Sequence, residues 1–580
     1  MGSYFAPTMR LYLERLVDWP TILRLRSGGT PDVAGELGAF RTVLETTAQL
    51  AERFERPARE NWDAEAELTE DGGAQPPAHI RAAYDQLREA GLVSLMISEE
   101  YGGAALPGLL NGFYLEMLSR ADTSLMTVAG LQAGVAGDIE KYASEELRRA
   151  WLPRFTSGQV QGAMDLTEPR AGSDLGGIVT RATDQPDGTV RVDGVKIFIT
   201  NGGAEVHLVL ARDADHFEQS KGTTNGLSLI LVPRHLPDGT RNGVRVARLE
   251  KKLGIHGSPT CEVVFEGAIG WRLGQKGQGF RAMLDLMNNA RLGVAAQAIG
   301  VASAALHDAH RYAHEREQFG QPIAKQPLVL SMLSKMRVNI EAARALLYHT
   351  FELIDLNMAR EAALRRGDLP DDEATRIREA LERDVVRVRL LTPLCKYYAT
   401  EICHDVTRDA MQVFGGIGYT MDADVAKLHA DSLIMTVYEG TSEIQASFAL
   451  REMGKGALAI VVAELRRELG AMKSDERRAE LAKLVDATVS RIEECALVLF
   501  SDLGYALLRA KMIAEMVINV IAATELLRQV GADPARIDLA EAFIRRRMLE
   551  TETMARRIRE NHKGRLERDE RILAAYAADA

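Results

Sequence analysis

Apolar residues recur at three-and-four spacing through Phe40–Phe54 and again through His79–Ala90, which predicts amphipathic helices from about Pro31 to Gly158. Gly102-Gly103 and Pro107-Gly108 read as turns between them. Near Gly162 the period drops to two. TVRVDGVKIFIT (189–200) holds two alternating runs around Asp193-Gly194, the pattern of a tight hairpin. VHLVLARD (206–213), GLSLILVP (226–233), GVRVARLE (243–250) and TCEVVFEG (260–267) follow as short strands with turn residues between them. No helix of useful length interrupts them, so βαβ units are excluded and an antiparallel sheet or barrel is predicted. From Gly279 helical spacing returns, with long amphipathic segments over Arg291–Arg316, Leu328–Met358 and Leu390–Phe414. The run RRGDLPDDEATRIREALERD (365–384) reads as a charged, solvated excursion between two of them. Gly-Lys-Gly at 454–456 sets off a last helical block, in which Tyr505–Leu527 has only Arg509, Lys511, Glu515 and Glu525 as charges. A helix that apolar all round is normally buried. The chain therefore divides into a short separate arm (1–30), a helical domain (31–160), a middle β-domain (161–275), a second helical region (276–455) and an extra helical block (456–580).

Composition adds little to that plan: the 580 residues are 46% apolar and 26% charged, ordinary for a globular protein. Charge adds more, because a net −11 argues against a nucleic-acid binder. Cys261, Cys395, Cys403 and Cys495 show no CxxC or Cys/His zinc spacing, so no metal site is expected and a reducing compartment, the cytoplasm, is. The opening MGSYFAPTMRLYLERL has no signal-peptide core, and Ala6 breaks the myristoylation pattern. No run of about 18 apolar residues predicts a membrane span.

Three stretches carry candidate chemistry. In MTVYEGTSEIQ (435–445) an apolar run stops at a lone carboxylate, Glu439, followed by Gly440 and two hydroxyls. Ser442, with Gln445 three residues on, predicts a helix start there, and a helix N-terminus favours anions. By itself this stretch reads better as a solvated loop. MDLTEPRAGSDLGG (164–177) and KIFITNGG (196–203) each end an apolar strand in hydroxyls and glycine turns. Together they would set an aromatic face and two threonine hydroxyls at neighbouring strand ends, which suits a flat heteroaromatic ligand. GGIG (415–418) and GQKGQG (274–279) are not dinucleotide loops, since neither follows a strand and opens a helix.

Taken together, EEYGG (99–103), TEPRAGSD (167–174), KIFITNGG (196–203), NNARLGVAAQAIGVA (288–302), REQFGQPIAKQ (316–326), QVFGGIGYT (412–420) and VYEGTSEIQ (437–445) resemble the acyl-CoA dehydrogenase family, in family order and at family spacing. The resemblance covers about 35–453. KKLGIHGSPTCEVVFEGAIGW (251–271), the APTMR arm (6–10) and the extra C-terminal helices are similar to the larger bacterial branch that includes 3-methylmercaptopropionyl-CoA dehydrogenases.

The resemblance implies a mainly α fold with a middle antiparallel β-domain: an α domain, a β-barrel domain and a four-helix bundle, plus the C-terminal helical extension. It implies FAD, an acyl-CoA substrate, an electron-transfer flavoprotein as acceptor and a homo-oligomer, at least a dimer. Leu166 and Thr167 would face the flavin, with Phe198 (where many members have Trp) and Thr200 beside it. Arg316 and Gln318 would reach the pyrophosphate of a neighbouring subunit's cofactor, Gln412, Gly415 and Gly416 would hold the adenosine half, and Thr441 and Glu443 its near end. Ser173, Asn288 and Arg291 would line the acyl-CoA path, and Gly440 would allow substrate close to the backbone. Asn288 stands where members often have Asp. Glu439 would be the catalytic base, since Ala290, at the alternative position for that base, cannot serve. Gly130 stands where medium-chain members have Glu, which would deepen the acyl pocket unless Met126 refills it. Two other outcomes are weighed: an acyl-CoA oxidase using oxygen, and a non-catalytic, DNA-binding, repair-associated homologue whose basic surface would include Arg545-Arg546-Arg547.

Overall fold

The computed structural model describes residues 4–472, 475–560 and 564–579, without the side chains of 577–579. The two helical patterns read early in the chain are the helices Val33–Glu60 and Ala78–Glu89, followed by Gly108–Ala121, Thr123–Tyr142 and Glu145–Thr156. The segment expected as a separate arm is packed into the main core instead. Tyr12 sits edge-on to Tyr348 at 5.2 Å, and Trp19 lies 5.3 Å from Phe40. Its large aromatic residues leave water only by that packing, which outweighs the freedom of a short chain end.

In the middle domain five strands close a ring: Arg181–Asp184, Val190–Thr200, Thr260–Leu273, Leu227–Pro233 and Val206–Asp213, the last pairing back to the first. Gly162–Asp165 and Val244–Leu249 flank it. Pairing is antiparallel except where Val206–Asp213 meets Gly162–Asp165 and Arg181–Ala182 in parallel. The period of two explains how Val206–Asp213 is buried on both faces. Val206, Leu208 and Leu210 pack against the helical residues Val135, Ile139 and Met283, while Val209 and Ala211 point inward with Val263 and Phe265.

The hairpin expected at Asp193-Gly194 does not form. Val190–Thr200 runs straight through as one strand along Thr260–Leu273, with a register shift at Val192/Gly194. Asp193 accepts from the Gly267 N–H at 2.7 Å, and a Cβ on Gly194 would lie 2.4 Å from Thr180 Oγ1. The glycine marks a bulge with close backbone approach rather than a turn.

The helices Gly279–Glu315, Pro327–Arg366 and Asp371–Phe414 form the long members of the bundle, with Asp424–Leu433 and Ser442–Glu452 packed on them. The charged run 365–384 is not an excursion: all but 367–370 is helix, and Asp384 is buried between Arg360 at 2.6 Å and Arg387 at 3.1 Å. The final block comprises Leu458–Ala471, Glu476–Leu499, Leu503–Leu508, Ala510–Ala532 and Ile537–Arg559, then Arg565–Asp579. The apolar stretch breaks at Arg509 into two helices, and the longer, Ala510–Ala532, is buried against Pro327–Arg366 and Ser442–Glu452.

Candidate active site

Glu439 lies between the short turn Ile434–Thr436 and the helix Ser442–Glu452. Its φ is 55°, a left-handed conformation that costs a residue with a side chain about 1–2 kcal/mol. Gly440 follows at φ 92°. The helix starts at Ser442 as expected, but its cap is the residue before: Thr441 Oγ1 accepts from the Ile444 N–H at 3.4 Å, while the Ser442 hydroxyl donates to Glu401. Gln445 reaches back as anticipated, but to carbonyls, donating to Glu439 O at 2.8 Å and Gly440 O at 3.4 Å.

Around this turn stand groups from three helices. Arg291 is buried on Gly279–Glu315, lies over the Phe448 ring, donates to Asn288 Oδ1 at 2.9 Å, and leaves Nε and Nη2 without a hydrogen-bond partner among the described residues. Lys396, buried on Asp371–Phe414, donates to Gly440 O at 2.7 Å. Tyr438 donates to Gln297 Oε1, whose amide in turn donates to Thr127 on Thr123–Tyr142 at 3.0 Å. Burial raises the Glu439 carboxyl above its ordinary value, and the positive charges of Arg291 and Lys396 pull against that rise.

A second cluster forms at the barrel edge. Leu166 and Thr167 follow Gly162–Asp165, and Phe198 and Thr200 end Val190–Thr200. The Ile197 N–H donates to Thr167 O at 2.9 Å. The buried Lys196 ammonium donates to Leu166 O at 3.0 Å, Glu168 Oε1 at 2.9 Å and Leu210 O at 2.7 Å. Phe198 is 59% exposed at φ 59°, and the hydroxyls of Thr167 and Thr200 have no protein partner among the described residues. The pairing Thr200↔Thr260 leads into a loop whose Ile255 N–H donates to Asp431 at 2.6 Å, so this edge is tied to the helix that precedes Glu439.

Tyr312 stacks on Phe414 at 4.2 Å, which joins the helix end that leads to the exposed Arg316 and Gln318 to the helix end that holds the exposed Gln412 and leads to Gly415 and Gly416. A Cβ on Gly415 or Gly416 would meet nothing within 4 Å. Glu443 is exposed and paired with Lys511 of the final block at 3.3 Å. Ser173 stays on an exposed loop, and no described contact brings it to Arg291. The room expected at Gly130 is filled: a Cβ there would lie 2.9 Å from Leu115 Cδ2 and 3.4 Å from Met126 Cε.

Lys396, Lys196 and Gln297 were missed in the sequence. Their only signal is a polar residue inside an apolar run, as in LLTPLCKYYA, and its partner lies tens of residues away. Among the described residues no group of three or more His, Cys, Asp or Glu could hold a metal ion, and no helix is long and apolar enough to cross a membrane.

Comparison with known proteins matches the acyl-CoA dehydrogenase N-terminal domain to residues 40–159, the middle domain to 163–268 and the C-terminal domain to 277–368 and 371–454. The chain is 32% identical over 466 residues to the 3-methylmercaptopropionyl-CoA dehydrogenase of Ruegeria pomeroyi, covering 77% of this chain and 75% of that one. A chain from a structure described as the electron transferring flavoprotein of Acidaminococcus fermentans is 30% identical, with a TM-score of 0.59, covering 71% of this chain and 97% of that one. The FAD complex of an acyl-CoA dehydrogenase from Bacillus anthracis shares the fold at a TM-score of 0.75, with 24% identity and coverage of 94% and 91%. Fold and site define an FAD-dependent oxidoreductase acting on acyl-CoA. The chain belongs to the acyl-CoA dehydrogenase family. The donor set fits FAD: bare hydroxyls and an exposed aromatic ring at the barrel edge suit its ring system, and the Arg316–Gly416 corner, with its open glycine backbone, suits its phosphates and adenosine.

Proposed function

We propose that this chain converts an acyl-CoA thioester to its trans-2-enoyl-CoA, with Glu439 as the base and an electron-transfer flavoprotein as electron acceptor. The observation that carries this is Glu439 itself: a carboxylate in a left-handed turn, half-buried, raised by burial and faced by Arg291 and Lys396. A carboxyl raised toward working pH is suited to accept a proton from the weakly acidic Cα–H of a thioester. The Glu439 N–H donates to the thioester oxygen and stabilises the charge that develops there as the proton leaves. Bound FAD supplies the acceptor for the β-hydrogen and its electron pair. Leu166, Thr167, Phe198 and Thr200 hold the flavin ring, while Arg291 and Asn288 line the substrate path, with Ser173 at its mouth. Gln412, Gly415 and Gly416 carry the adenosine half, Thr441 and Glu443 its near end, and Arg316 and Gln318 reach the pyrophosphate of a second subunit's cofactor.

Support for that second subunit is the exposed face around the corner, where Phe319 is 92% and Tyr419 85% exposed in one protomer. Four free, buried cysteines suit the cytoplasm. The DNA-binding alternative loses its basis, because the basic run is already engaged. Arg545 pairs with Glu541 and Glu480, Arg547 with Glu550, and Arg546 donates to Asn339.

The test is Glu439→Gln. The variant is expected to fold, retain FAD and bind acyl-CoA, yet lose about 10²–10⁴-fold in dye-coupled turnover. Near-normal turnover refutes the assignment. Hydrogen peroxide formed once per turnover in the wild type identifies an oxidase instead.

A further inference from the structure

A left-handed glutamate persists only where its surroundings hold it. Two side chains hold Glu439. Gln445 binds its carbonyl, and Lys396 binds the next one, at Gly440, with Nζ–O at 2.7 Å. Lys396 is fully buried in the middle of the helix Asp371–Phe414, among Leu390, Leu394, Tyr397 and Ala399. No carboxylate among the described residues lies within 4.0 Å of its ammonium, so the hydrogen-bond acceptor the structure gives this cation is a backbone carbonyl beside the base. Burying a cation without an acid partner is costly, and methionine would fill the same space without that cost.

We propose that Lys396 is a positioning residue for the base: its ammonium pins the Gly440–Thr441 peptide that follows Glu439 and sets a positive charge near the Glu439 carboxylate. The proposal rests on Glu439 being the base. The charged and titratable groups around this turn are Arg291 from Gly279–Glu315, Lys396 and Glu401 from Asp371–Phe414, Tyr438 and Glu439 from the turn, Glu443 and Arg451 from Ser442–Glu452, and, further out, Lys511 and Glu515 from Ala510–Ala532, which pair with Glu443 and Tyr397. Burial raises Glu439, and Arg291 and Lys396 lower it. Burial lowers Lys396 to about 8, with Glu439 pulling it upward and Arg291 pressing it down. Removing the ammonium leaves Arg291 alone to oppose burial, so the Glu439 carboxyl rises further. The acid limb of the kcat profile therefore moves to higher pH, because more of the base is protonated at any given pH.

The experiment uses full-length, FAD-loaded protein: wild type, Lys396→Met, Lys396→Gln, Lys396→Arg and Glu439→Gln. Each is assayed from pH 5.5 to 9 with the acyl-CoA that turns over fastest. FAD content is read by absorbance and stability by thermal midpoint. Lys396→Met is expected to lose about tenfold or more in kcat, keep KM within about twofold, and move its acid limb upward by roughly half a pH unit or more. Lys396→Arg restores the limb. Should Lys396→Met fail to hold FAD, Lys396→Gln keeps a donor without the charge and is expected to show the same shift. A lowered thermal midpoint with an unmoved acid limb in either neutral variant overturns the proposal and marks Lys396 as merely structural. In that case an inactive Glu439→Gln shows that the base assignment still stands. An active Glu439→Gln overturns both.

Discussion

Gly440 illustrates how little room the Glu439 turn has. A Cβ there would come within 2.7 Å of Gln445 Nε2 and 3.3 Å of Ile444 Cγ2, on a backbone already at φ 92°. Gly440→Ala is therefore expected to displace the Gln445 clamp and lower kcat about tenfold or more, with FAD content unchanged by absorbance. A second residue-scale expectation concerns chain length. Leu115 and Met126 occupy the space beside Gly130. Met126→Ala should shift preference toward longer acyl-CoAs, each added methylene gaining about 0.8 kcal/mol where it becomes buried. The kcat/KM values across a chain-length series check this, and an unchanged optimum would show that Met126 is not a wall of the acyl pocket.

At the scale of elements, Lys196 ties its own strand, Val190–Thr200, to Val206–Asp213 and to the segment that follows Gly162–Asp165. Its ammonium reaches Leu166 O, Leu210 O and Glu168, so one side chain aligns both stretches of the barrel edge. Glu168 also accepts from the Val179 N–H at 2.8 Å and the Thr180 N–H at 3.0 Å. Lys196→Met leaves that carboxylate buried without its cation, a loss of about 3–5 kcal/mol. Lys196→Met/Glu168→Gln removes both charges and should cost less. Thermal midpoints should thus fall further in the single than in the double variant, and FAD affinity should fall in both. The order single above double would contradict a buried ion pair at this edge.

For the whole molecule, Glu341 is where distant parts of the chain meet. It accepts from Thr8 of the opening segment, from Arg344 of its own helix at 2.7 Å and from Arg536 of the final block at 2.6 Å. Burial pushes its carboxyl up, but Arg344 and Arg536 outweigh that and hold it down at about 2. A carboxyl lowered on folding contributes stability that is fully present above its unfolded value, about 4.3, and is lost as pH falls through the folded one. The difference in thermal midpoint between wild type and Glu341→Gln should therefore be constant from pH 7 to about 5 and shrink from there toward pH 2. A difference independent of pH would remove the charge from the account. The final block is held by further ties of this kind, Arg528 to Glu352 and Tyr397 to Glu515, over the buried helix Ala510–Ala532. Truncation after Gly456 should expose that face and lead to aggregation or a changed mass by light scattering. A soluble truncated chain of unchanged stability would make the block dispensable.

Much of this was legible before any coordinates. Changes of period mark where helices give way to strands near Gly162 and return at Gly279, because the period depends only on which face of a local element is buried. The seven family motifs carry Glu439 and the barrel-edge residues, since those chemistries need particular residues at particular turns. Partner choice was not legible, because it depends on competition between surfaces far apart in sequence. Asp193-Gly194 has the local chemistry of a hairpin, yet its strand found a longer partner in Thr260–Leu273 and the turn became a bulge. The first residues read as an arm until Tyr12 and Trp19 met Tyr348 and Phe40. Lys396 reads as one charge in an apolar helix. Only the tertiary structure, by laying that helix beneath the Glu439–Gly440 turn, gives its ammonium the Gly440 carbonyl to hold.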